Sequence, residues 1–158
     1  VTEDPLRFVV LGRPQGKGSK RALPIRTRAA AATGQRIVLV DSNRKAAPWA
    51  AKVSSAAWAA ASERVGHDPV IYRGAVCVTF EFYFARPRGH YGVGKNINRV
   101  RPSAPEYMAT MPDVDKLVRC SLDALTGVLI RDDSQVVELK ARKLFGEPER
   151  LEARVTAL

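Results

Sequence analysis

A chain of 158 residues with 46% hydrophobic and 27% charged side chains has the length of one domain and a near-average globular composition, which excludes a collagen-like fibre, a coiled-coil rod and wholesale disorder. No apolar run approaches the roughly 18 residues of a membrane span. The polar opening VTEDPLR offers no secretory h-region, and without an initiator Met the start reads as trimmed. Lys+Arg 26 against Asp+Glu 16 gives a net charge of +10, a field that favours a polyanion: nucleic acid first, an acidic membrane surface second.

The charge is uneven. Residues 1–60 carry a net +8, residues 61–110 a net +3 and residues 111–158 a net −1. Acids therefore gather behind a basic front, and a metal ion is one reason for such a cluster. Cys77 and Cys120 form no CxxC and read as reduced core thiols of a cytoplasmic protein.

In chain order, residues 6–11 (LRFVVL) read as a first strand. The segment from Arg13 to Arg28 follows, with six basic residues and no acid, and looks like a loop or a twisted edge. Its GRPQGKGS only superficially resembles a phosphate loop, because the Gly12-to-Lys17 spacing fails G-x-x-x-x-G-K-[ST]. Residues 36–40 (RIVLV) form a short strand. Residues 47–65 predict a helix with Pro48 at its first position, Trp49, Val53, Ala56, Ala57 and Ala60 at helical spacing, and Gly66 as the stop. Trp49 and Trp58 suit a core or a dimer interface better than base stacking.

Residues 75–84 (AVCVTFEFYF) are the clearest strand. Val76, Val78, Phe80, Phe82 and Phe84 share one face, and Thr79, Glu81 and Tyr83 the other. Residues 86–101 carry five basic residues and no acid and predict a mobile basic loop, with Tyr91 as a stacking candidate. A second helix spans 113–126, with Val114, Leu117, Val118, Ser121, Leu122 and Leu125 as its buried stripe. Two alternating strands close the chain, residues 135–145 and 151–157, and the GEPE turn between them predicts an antiparallel hairpin.

The chemistry centres on Asp113, Asp115 and Asp133, with Asp132 beside the last. Capping the helix start accounts for Asp113 and Asp115, since acids are stabilised there. It does not account for Asp132 and Asp133. If the second helix start and that pair meet, carboxylates crowd together and invite a hard cation such as Mg²⁺, with Mn²⁺ as a substitute. Arg119 lies four residues after Asp115, placed either for an ordinary ion pair or to offset charge on a scissile phosphate. Asp123 reads as structural or supporting. His67 and His90 are isolated and have no ligand spacing.

Residues 111–145 resemble the signature of RusA-type Holliday-junction resolvases, roughly K-P-D-x-D-N-L-x-K-x-x-x-D-A-L-x-G followed by D-D-x-Q-V. The matches are Pro112, Asp113, Asp115, Leu117, Asp123, Ala124, Leu125 and Gly127, then Asp132, Asp133, Gln135 and Val136. Gly12, Pro14, Lys17, Gly18 and Arg21 are similar to the family's G-x-P-x-x-K-G-R-x-R. The resemblance implies that Asp113, Asp115 and Asp133 are catalytic and bind Mg²⁺. It puts Arg119 where the family has its lysine, Lys116 where it has Asn, and Met111 where it has the first Lys. Either Arg119 or Lys116 stands in for the family lysine.

The expected fold is α/β (α+β), a mixed, mostly antiparallel sheet against two main helices. One domain covers 1–158, with mobile basic loops at about 13–35 and 86–110. The expected function is Mg²⁺-dependent resolution of four-way DNA junctions by paired nicking, carried out by a homodimer without a small-molecule cofactor. It would act in the cytoplasm, or in a host's if the chain is phage-encoded. Lys17, Lys20, Arg21, Arg86, Arg88, Lys95, Arg99, Arg101, Lys116 and Lys143 are the expected DNA contacts. The alternatives are a non-catalytic nucleic-acid-binding module and a Mg²⁺ nuclease blind to branches.

Overall fold

Five side chains set the centre of the fold. Val76, Val78, Phe80, Phe82 and Phe84 alternate along one strand and are all fully buried, as period-two patterning requires of a strand with one face on a core. The computed structural model describes residues 4–25, 36–65 and 72–158; Arg26, Arg28, Gly66 and His67 fall outside these. The elements are β1 (Leu6–Leu11), β2 (Lys20–Ile25), β3 (Arg36–Asp41), α1 (Ala46–Val65), β4 (Val76–Phe84), α2 (Val114–Leu125), β5 (Val136–Phe145) and β6 (Arg150–Ala157). Short 3₁₀ turns sit at Arg88–His90, Gly94–Asn96 and Asp133–Gln135.

The main sheet has the order β1-β6-β4-β5. β6 runs antiparallel to both β1 and β4, and β5 runs parallel to β4. The expected α+β architecture, a mixed sheet against two helices, is what the chain adopts. The expected β5–β6 hairpin is not formed, because β4 lies between the two strands. The connecting turn crosses the end of β4 instead: the Gly146 N–H donates to the Phe84 carbonyl at 2.9 Å. A Cβ on Gly146 would come within 2.7 Å of the Tyr83 ring, so the crossing needs a glycine.

Both helices pack on one face of this sheet. α1 buries Trp49, Val53, Ala57 and Ala61, while Trp58 is half exposed. α2 buries Leu117, Cys120, Ser121, Ala124 and Leu125. The expected α2 stripe was shifted: Cys120 and Ala124 go in, Val118 and Leu122 are only partly buried, and Val114 is exposed. The Ser54 hydroxyl donates to the Ala124 carbonyl at 2.7 Å and joins the helices. Leu129 and Ile130 bury the VLI run after α2.

Among the described residues β2 and β3 pair only with each other. Part of the expected basic loop is therefore strand. This ribbon leaves Leu23, Ile37, Val38, Leu39 and Val40 between 40% and 63% exposed. Its root is fastened where Asp41 Oδ1 accepts the N–H groups of Gly18 and Asn43, at 2.9 and 2.8 Å. Asn43 Nδ2 also donates to the Gly16 carbonyl at 2.8 Å.

Residues 86–101 carry backbone hydrogen bonds of their own. The Gly92 N–H donates to the Arg99 carbonyl at 2.9 Å and the Arg101 N–H to the His90 carbonyl at 2.8 Å.

Candidate active site

α2 forms where a bend through Thr110, Met111 and Pro112 ends and an amphipathic run begins. Asp113 sits at the N-cap with extended backbone (φ −68°, ψ 138°), yet its side chain does not cap. The carboxylate takes the Lys116 ammonium at 2.8 Å instead. That hydrogen bond, with the charge behind it and a lesser effect of Lys143, holds Asp113 below the usual carboxylate range. Lys116 is raised by the same contact.

Asp115 follows in the first turn. It lines a groove of about 540 Å³ between α2 and β5. Val118, Arg119, Leu122 and Asp123 continue that wall; Asp133 enters from the 3₁₀ turn, and Leu139 and Ala141 form the β5 side. The four-residue spacing of Asp115, Arg119 and Asp123 keeps them on adjoining helix faces.

The structure thus brings Asp115, Asp133 and Arg119 together. It does not bring in Asp113, which lies on the Lys116 side. Nor does Asp132 face the groove. Its Oδ1 accepts the Ser134 N–H at 2.9 Å and caps the 3₁₀ turn. Hydrogen bonds from the Ser134 side chain and then its backbone N–H hold the Asp132 carboxyl below the ordinary range. Of the acids expected to converge, Asp115 and Asp133 share the groove, and Asp123 is a third acid along its wall. Among the described residues no three acids, imidazoles or thiols are grouped to hold a metal unaided. Two carboxylates still suit Mg²⁺, which commonly takes one or two protein carboxylates and fills its octahedron with water and phosphate oxygen.

Gln135 is a structural part the chemistry-first reading missed. Its Nε2 donates to the carbonyls of Tyr72 and Gly74 at 2.8 and 2.9 Å. Its Oε1 accepts the Arg131 N–H at 2.7 Å. It therefore pins the turn that carries Asp133. Asp123 lines the same wall, its carboxylate paired with Lys17.

The expected DNA contacts divide. Lys20 and Arg21 open the exposed ribbon, and Lys95 and Arg99 are exposed. Arg86, Arg88 and Arg101 line a second groove of about 790 Å³ with Tyr91. Others are engaged within the protein. Lys17 pairs with Asp123, and its N–H donates to the Lys116 carbonyl at 3.0 Å. Lys116 holds Asp113. The Lys143 ammonium donates to the Thr110 and Pro112 carbonyls at 2.6 and 2.9 Å. His90 stacks edge-on against Phe145 at 5.5 Å. Cys77 and Cys120 are free and buried. Among the described residues no helix is long and apolar enough to cross a membrane.

A family model described as endodeoxyribonuclease RusA matches residues 24–156. A stretch of 46 residues is 46% identical to an uncharacterised protein, YqaN, of Bacillus subtilis (strain 168), covering 29% of this chain and 32% of that protein. The match thus spans about a third of that relative's length.

Proposed function

The chain belongs to the RusA endodeoxyribonuclease family, and from that premise we propose that it is a Mg²⁺-dependent enzyme resolving four-way DNA junctions by paired nicking. The observation that carries this reading is the shared groove of Asp115, Asp133 and Arg119 in a chain of net charge +10.

Asp115 and Asp133 would hold the cation, while Asp113 stands outside the groove, paired with Lys116. A Mg²⁺ bound there supplies Lewis-acid polarisation of the phosphodiester and a more acidic water. Arg119 would offset negative charge on the phosphate through its planar, donor-only guanidinium. Lys20, Arg21, Lys95 and Arg99, with Arg88 and Arg101, supply phosphate contacts that fix the DNA without reading its sequence. A two-fold dimer would present two grooves to a two-fold junction and cut opposed strands, since the symmetries match.

The test is a synthetic four-way junction beside a matched linear duplex, with and without Mg²⁺, for the wild type and Asp115→Asn. Paired nicks on the junction alone, lost in the variant, support the proposal. Tight binding without nicking in any divalent ion supports a silent binding module, and equal cutting of both substrates supports a branch-blind nuclease.

A further inference from the structure

Lys143 lies on β5 opposite Phe82 of β4. Phe82 faces the helices, so Lys143 points to their side of the sheet and not outward with Lys140 and Arg142. Its ammonium donates to the Thr110 carbonyl at 2.6 Å and the Pro112 carbonyl at 2.9 Å. Those carbonyls belong to the last residues before Asp113. An ammonium has three donors, and two of these are spent on that approach segment.

The segment is held at two further points. Met108 is buried in the core. Arg86 donates to the Pro105 carbonyl at 2.8 Å while lying 4.2 Å over the Phe145 ring. Two cations expected to grip DNA therefore secure the chain that leads into the acid site. Lys143 is the one nearest the chemistry, and its charge is felt at Asp113.

We infer that Lys143 is a positioning residue: its two bonds to residues 110 and 112 set Asp113 and the first turn of α2 that carries Asp115. The inference rests on the nuclease reading and adds to it a residue that touches neither substrate nor metal. Misplacement of reacting groups by about 1 Å can cost on the order of a hundredfold in rate, so a clamp one residue from Asp113 acts on turnover. A phosphate contact acts on affinity and on its salt dependence, with a log–log slope near −0.9 per contact. The two roles separate cleanly.

Lys143→Met keeps the length of the stem and removes the ammonium; Lys143→Gln keeps donors without charge. Three quantities are measured: the single-turnover rate at saturating four-way junction, the junction Kd across a salt series in EDTA, and Mn²⁺ affinity of the DNA-free protein. Lys143→Met should lower the saturating rate and the Mn²⁺ affinity by about tenfold or more. Junction Kd and its salt slope should stay unchanged, and Lys143→Gln should recover part of the loss. If Lys143→Met does not fold, Lys143→Gln decides by the same readouts. An unchanged rate and Mn²⁺ affinity with a salt slope reduced by about one unit overturns the inference in favour of a DNA contact. Wild-type protein that nicks nothing defeats the nuclease reading, while the Mn²⁺ titration still reads the clamp. Wild-type protein that binds no Mn²⁺ defeats the clamp as well.

Discussion

Asp113 and Lys116 form an ion pair of 2.8 Å across the first turn of α2. The Asp113 carboxyl is depressed by that partner, so the pair stabilises the fold above the unfolded carboxyl pKa of about 3.9. The contribution is lost as pH falls through the lower, folded value. Lys116→Met should let Asp113 titrate higher by carboxyl NMR. Its stability deficit against wild type should vanish at the acid end, and a deficit constant with pH would contradict this.

Adjacent Asp132 and Asp133 should differ sharply. Asp132 caps a 3₁₀ turn, and Asn caps as well as Asp does. Asp132→Asn should therefore cut junctions at nearly the wild-type rate. Asp133→Asn should lose more than about a hundredfold, beyond what groups one step removed from a metal usually cost. Single-turnover cleavage by the two variants decides the matter.

Gln135→Ala removes the bonds to Tyr72, Gly74 and Arg131. Unmade bonds of this kind cost about 1–3 kcal/mol, and denaturant melts should show a loss in that range. The saturating cleavage rate should drop as well, since the turn carrying Asp133 loosens.

Gly18→Ala tests the root of the ribbon. Its new Cβ would meet Asp41 Oδ1 and lie 2.5 Å from the Asn43 nitrogen and the Ser42 hydroxyl. The expected cost is about 1–3 kcal/mol by overpacking. Gly74→Ala, with nothing within 4 Å of its Cβ, serves as the near-neutral control in thermal melts.

Local pattern made the inner parts of this fold readable. Alternation through Phe80, Phe82 and Phe84 marked β4, and helical spacing through Leu117 and Leu125 marked α2, because burial imposes those periods. The β5–β6 error arose because a GEPE turn records only that the chain reverses. That β4 inserts between the strands depends on its wholly buried apolar face, a long-range matter. On β5 the alternation is genuine but leads to an edge, with Val137 64% and Leu139 44% exposed.

At the site, spacing put Asp113 at a helix start and Asp115 in its first turn. It did not fix rotamers, so the competition of Lys116 for Asp113 was invisible. Lys143, expected as a DNA contact, carries its inward placement in the pattern: it shares its parity with Leu139 and Ala141, not with the outward Lys140 and Arg142.

Among the described residues the β2–β3 ribbon pairs with no strand of the main sheet, and two strands alone are marginally stable in water. Its backbone amides at residues 37–40 should exchange with deuterium through local fraying, while those of β4 wait for the whole molecule to open. The protein thus carries an arm that melts on its own schedule. A protease should find that arm first and leave a trimmed, still folded remainder.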